Sequence, residues 1–157
     1  MVNEMNEDAL LDVRNLQISV TVQRPHEPPT DLVIVDDVSF TLHKGQVLGL
    51  IGESGAGKST IGLSAMGYGR GGVRISGGEV ILNGRDILDG GNSLLRHIRG
   101  LEVCYVSQSA AAGFNPSHRL IDQVIEASVR NGSATAAEAR ARAVELFKTL
   151  SLPDPES

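Results

Sequence analysis

Cysteine occurs once in these 157 residues, tryptophan is absent, and the aromatic side chains amount to three Phe and two Tyr. One cysteine excludes an internal disulfide. It sits in the apolar run LEVCYVSQ, where Cys104 is expected to be a buried, inert thiol. No stretch approaches the roughly eighteen apolar residues that a membrane-crossing helix requires. The N-terminus, MVNEMNEDALL, is acidic and lacks the cationic start of a secretory signal. These absences point to the cytoplasm. A basic stripe interleaved with aromatics is missing as well, which argues against nucleic acid as a partner.

What is present suits a globular protein of about one domain. Hydrophobic residues make up 41% of the chain and charged ones 21%, enough to bury a core and too apolar for wholesale disorder. The net charge of −5 comes from the front of the chain. Residues 1–40 carry eight acids against two bases, and the remainder is close to balanced.

The β-branched segments DVRNLQISVTV (12–22) and LVIVDDVSFTL (32–42) read as strands, separated by the proline-rich loop QRPHEPPTD. After the turn at HKG, QVLGLIG (46–52) is apolar nearly throughout, as expected of a strand buried on both faces of a sheet. A helix is expected from Lys58 through IGLSAMG. GYGRGGVRISGG (67–78) holds too many glycines for regular structure, and ISGGE (75–79) reads as a turn. EVILNGRDI offers a hairpin turning at Asn83-Gly84, SLLRHIRG a short helix, and LEVCYVSQ (101–108) a second buried strand. HRLIDQVIEASVR (118–130) places Leu120, Ile121, Val124, Ile125 and Val129 on one helix face, with His118 at its opening. Thr135 and Glu138 form a capping box that opens a last helix, AAEARARAVELFKTL.

The chemistry concentrates in GESGAGKST. Gly52, Glu53, Ser54, Gly55, Ala56, Gly57, Lys58 and Ser59 fit the phosphate-loop pattern G-x-x-x-x-G-K-[ST], and Thr60 follows. Glycines allow successive backbone N–H groups to turn inward around phosphate oxygens, and the following helix adds the positive end of its dipole. The lysine ammonium reaches the β- and γ-phosphates, and the Ser59 hydroxyl is a ligand for Mg²⁺. An apolar segment before the loop and a helix after it supply the required context. The chain is expected to hold a nucleoside triphosphate.

The wording VDDVSFTLHKGQVLGLIGESGAGKST resembles the nucleotide-binding subunits of ABC transporters. Together with GGEVILNGRDI and VSQSAAAGFNP, it is similar to the dipeptide, oligopeptide, nickel and glutathione importer group. The resemblance runs from about residue 10 to 156. It implies an α/β fold of the P-loop NTPase type, a RecA-like core with an antiparallel β subdomain and the start of a helical subdomain. Along the chain it implies a flexible 1–11, a β-rich part with the phosphate loop over 12–108, and a glutamine loop with the start of the helical subdomain over 109–157. It implies ATP and Mg²⁺ as ligands, the metal shared by Ser59 and Gln108, with Gln108 also touching the attacking water. SAAAGFNP (109–116) would face transmembrane permease subunits. A second ATP-binding domain and, indirectly, a solute-binding protein outside the membrane complete the implied partners. The implied place is the cytoplasmic face of the cell membrane, where ATP binding and hydrolysis drive uptake of peptides or similar small solutes.

The sequence departs from that pattern in two ways. The family's apolar strand ending in Asp-Glu, its LSGGQ-like loop and its switch histidine have no counterpart among the 157 residues. The chain therefore reads as the N-terminal part of such a domain, expected to bind nucleotide without turning it over. Family members also stack adenine on an aromatic at the end of the first strand, whereas this region reads ISVTVQR. Val20 or Val22 is left to give apolar contact, with weaker hold on the base. Two other readings stand beside this one: an ABC ATPase working in repair, translation or chromosome architecture, and an inactive nucleotide-binding remnant. QSAAAGFNPSHRLIDQV also resembles the first half of importers that fuse two ATPase domains. An unfinished sheet would leave an exposed edge and apolar surface.

Overall fold

The structure is a computed structural model that describes residues 9–69, 71–109 and 113–153. These fall into two compact units, divided between Arg96 and His97. In the first, β1 (Ala9–Val22), β2 (Thr30–His43), β3 (Val73–Leu82) and the short β4 (Arg85–Asp86) form one antiparallel sheet in the order β2-β1-β3-β4. It also holds α1 (Lys58–Ser64) and most of α2 (Gly91–Ile98). The second unit contains α3 (Leu120–Arg130) and α4 (Ala136–Thr149).

β1 is the inner strand of the first three. Its β-branched and leucine side chains suit the pleat, and Val13, Leu16 and Ile18 are buried, as are Val80 and Leu82 on β3. β1 starts at Ala9, inside the segment expected to be flexible, and residues 1–8 lie outside the described chain. Near its start Asp12 is buried, where a lone carboxylate would be costly. Arg14 Nε and Nη2 donate to it at 2.8 and 2.7 Å, and the Thr41 hydroxyl of β2 donates at 2.9 Å. Those bonds tie β1 to β2 in one register, since a slip would strand the charge.

The glycine-rich stretch is the first correction. ISGGE is neither turn nor irregular: it lies within β3. The pairing passes from Arg14–Glu79 to Gln17–Gly77, so β1 uses three residues where β3 uses two. The bulge centres on Asn15, whose φ is +46°. Opposite it, Gly78 has φ +87°, and a Cβ there would sit 2.5 Å from the carbonyl oxygens of Arg14 and Asn15. The glycines are there so that two backbones can approach. The Asn83-Gly84 hairpin turn is as expected, with both residues at positive φ between paired Leu82 and Arg85.

The second correction concerns both strands expected to be buried on two faces. Residues 46–53 and 104–107 carry no regular structure, and Val103 makes a single bridge to Arg99. Val47, Ile51 and Val106 are 96%, 99% and 90% exposed. Cys104 is exposed too, against the expectation of burial. A strand of this kind needs neighbours on both edges and cover on both faces. Among the described residues no strand pairs with either segment in a sheet.

α1 is shorter than the expected helix. It closes with Gly67 N–H donating to Ser64 C=O at 2.8 Å and Tyr68 N–H to Leu63 C=O at 3.0 Å. α3 begins at Leu120, two residues past His118. Its inward face is narrower than the pattern suggested: Ile121 is buried, with Val124 and Ile125 packed nearby, while Leu120 and Val129 are exposed. Ile121, Ala143 and Phe147 form the core between α3 and α4, with Leu152 packed against it.

The capping box of α4 is formed as expected. Glu138 N–H donates to the Thr135 hydroxyl oxygen at 3.3 Å, and the Thr135 hydroxyl and backbone N–H donate to the Glu138 carboxylate at 2.6 and 2.9 Å. The hydroxyl bond, and then the backbone bond, hold the Glu138 pKa below its ordinary 4.5.

Two outcomes are expected. Gly78→Ala forces a methyl group onto backbone oxygens, so thermal unfolding of the full chain should show a loss of about 1–3 kcal/mol. A depressed carboxylate pKa stabilises the fold above the ordinary glutamate value and stops doing so as pH falls through the folded one. An NMR titration should therefore place the Glu138 midpoint below 4.5, and Thr135→Ala should return it towards that value.

Candidate functional site

The phosphate loop leaves the irregular segment 46–51 and enters α1 directly. Ala56 N–H donates to the Glu53 carbonyl at 3.2 Å, folding the loop's first half into a turn. Gly55 and Gly57 then take φ of +86° and +81°, a left-handed conformation that a side chain disfavours. Gly57 caps α1 with its carbonyl, which accepts from Ile61 N–H at 2.8 Å. This places Lys58 and Ser59 as the first two residues of the helix, and Thr60 as the third.

The lysine does not extend away. Its Nζ donates to the carbonyl of Gly52 at 2.7 Å and also to that of Glu53. An ammonium has three donors, so two of them brace the cation across the mouth of its own loop. Ser59 is exposed beside it and Thr60 half-buried. The arrangement joins a run of backbone turned by left-handed glycines, a positive charge held on two carbonyls and a hydroxyl, which is the chemistry that suits a polyphosphate with its divalent cation. Among the described residues, no three His, Cys, Asp or Glu side chains cluster as a metal cage. A cation here would rest on hydroxyl and phosphate oxygens.

Other expected site residues are placed separately. Val20 is half-buried on β1, opposite Leu32 of β2 and Val73 of β3. It lies two residues past Ile18 and so on the same strand face. Val22 is near the end of β1, opposite Thr30. Gln108 belongs to the second unit and is exposed at a bend, where the neighbouring Ser107 hydroxyl donates to the Ser109 carbonyl at 2.9 Å. Within SAAAGFNP, residues 110–112 lie outside the described chain. The Asn115 that follows is clasped by α3: its N–H donates to Gln123 Oε1 at 2.7 Å, and Gln123 Nε2 donates to its carbonyl at 2.9 Å. One neighbour of the loop escaped sequence reasoning. Val35 of β2 lies against Gly57, and nothing in a sequence separation of this size signals that contact.

Comparison with known proteins agrees with the loop geometry. The ABC transporter family profile matches residues 35–157, most of the chain. The chain belongs to the ABC transporter family. That family binds ATP, generally with magnesium. The dipeptide transport ATP-binding protein DppD of Lactococcus lactis is 33% identical over 153 residues, covering 97% of this chain and 42% of its own length. The oligopeptide transport ATP-binding protein OppD of Escherichia coli is 31% identical over 147 residues, 94% of this chain and 42% of that protein. A metal-staphylopine import system ATP-binding protein of Staphylococcus aureus is 35% identical over 147 residues, 94% of this chain and 51% of that protein. The chain thus spans about half or less of the length of these relatives. It is homologous to ATP-binding subunits of peptide importers, and it covers part of the ATPase domain.

The exposure of the second segment can be measured directly. Cys104 should react with a disulfide reagent such as Ellman's under native conditions at a rate close to that of the urea-unfolded chain. A strongly protected thiol would mean that 101–108 is covered.

Proposed function

We propose that this chain forms the ATP-binding part of an importer ATPase, working at the cytoplasmic face of a membrane to drive uptake of peptides or similar small solutes. The observation that carries the reading is the loop itself, with left-handed Gly55 and Gly57 and with Lys58 held on the Gly52 and Glu53 carbonyls, in a chain matched to this family. No described helix is long and apolar enough to cross a membrane. Permease subunits would carry the solute. A second ATP-binding domain and a solute-binding protein outside the membrane complete the proposed assembly.

Gly52 through Thr60 cradle the triphosphate, with backbone N–H groups aimed at its oxygens. Lys58 offsets charge on the β- and γ-phosphates. Mg²⁺, which neutralises phosphate charge when bound, would be held by Ser59 and Gln108. Gln108 can serve because an amide offers an acceptor to the metal and donors to water. The base meets Val20, whose apolar side chain replaces aromatic stacking typically worth about 1–3 kcal/mol. That substitution favours loose recognition of the base and a hold concentrated on the phosphates.

Equilibrium binding of a fluorescent ATP analogue to the full chain tests the assignment. The wild type should bind, and Lys58→Ala should abolish the signal while leaving thermal unfolding unchanged. Retention of wild-type affinity in Lys58→Ala would remove the phosphate loop from the reading.

A further inference from the structure

We propose that Val35, on a strand of the sheet and distant in sequence from the phosphate loop, is a positioning residue for that loop. The inference rests on the reading of residues 52–60 as a triphosphate site, and it adds the group that sets where the site stands. Among the fourteen residues of β2, Val35 is the single buried one, 6% exposed, while Ile34 and Asp36 on either side are exposed. An edge strand buries little unless something lies on it. Gly57 lies against Val35: a Cβ built there would fall 3.1 Å from Val35 Cγ2 and 4.0 Å from the Ile34 carbonyl oxygen. A side chain at Gly57 would therefore crowd a valine methyl group, in addition to the strain of a φ of +81°.

The seat is stiff for local reasons. A valine is restricted at χ1 by its branched Cβ, so its methyl groups have few directions open to them. Val35 pairs with Ile18, which is fully buried and pairs on its other edge with Ile75. The three side chains form a row across β2, β1 and β3 on one sheet face. Register shifts flank the Ile18–Val35 pair on both sides, and Gln17 Nε2 donates to the Asp36 carboxylate at 3.0 Å beside it. Bulges of this kind re-aim a side chain relative to a regular ladder. Gly57 in turn caps α1 and precedes Lys58. A chain of fixed contacts thus runs from the sheet through Val35 to the origin of the helix that carries the lysine and Ser59.

The test uses the full chain and two readouts. In Val35→Ala, amide hydrogen exchange over residues 54–59 should rise about tenfold or more with β1 and β3 unchanged, and ATP-analogue affinity should fall by a similar factor, because small misplacements of binding groups are costly. Gly57→Ala should also weaken binding. Introduced into Val35→Ala, it should weaken binding less than in the wild type, since the methyl group it would meet is gone. A general structural role for Val35 would instead give additive losses with exchange rising throughout the sheet, and that result overturns the proposal. If Val35→Ala does not fold, the wild type decides: a nuclear Overhauser contact between a Val35 methyl and the Gly57 Hα supports the seat, and its absence overturns it. Should the wild type bind no ATP analogue, the reading of the site fails, while the exchange data still judge the contact.

Discussion

β1 is hydrogen-bonded along both edges, and most of what the first unit does depends on that double pairing. A strand held on two sides cannot slide without breaking two ladders. Here it also carries a buried carboxylate whose partners, Arg14 and Thr41, fit one register. The bulge at Asn15 is accommodated by Gly78 on one side. On the other, Asn15 Nδ2 donates to Asp37 at 2.7 Å, joining two residues of positive φ. From this fixed frame Ile18 supports Val35, and Val35 lies against Gly57. The loop owes its shape to its glycines and its place to the sheet.

The second unit follows different rules. Two amphipathic helices meet around Ile121, Ala143 and Phe147. α3 closes with Ser133 N–H donating to Ser128 C=O at 3.0 Å, and α4 with Leu152 N–H donating to Phe147 C=O at 3.0 Å. In α4 this turn brings Leu152 back onto the core that Phe147 anchors. The Gln123–Asn115 clasp ties the segment before α3 to the helix itself. The order is local in origin, made of capping, closing turns and contacts close in sequence.

The segments around Val47–Ile51 and Tyr105–Val106, one in each unit, follow neither kind of order. Both have the composition of strands, and both are largely exposed. Relatives that the chain matches at 31–35% identity are about twice its length. Apolar surface of this kind promotes association until it is covered.

Read from the residues alone, the glycine turn that opens α1, the capping box, the Asn83-Gly84 turn, the first two strands and the last two helices were all legible. Each is governed by neighbours a few positions apart: glycine at positive φ, a hydroxyl three residues before a carboxylate, apolar side chains at a period of two or three to four. Resemblance added the family, which comparison bears out. Three readings went astray for one reason. ISGGE looked like a turn because its glycines answer to the Asn15 bulge, some sixty residues earlier in the chain. QVLGLIG and LEVCYVSQ looked like buried strands because their composition is right, but burial belongs to neighbours, and Cys104 is exposed with them. Likewise Val35 reads in sequence as one more apolar strand residue. Composition and spacing fix what a segment can do locally. Only tertiary contact decided which glycine yields to a backbone, which valine meets the loop and which apolar run remains in water, because those outcomes depend on atoms brought together from distant parts of the chain.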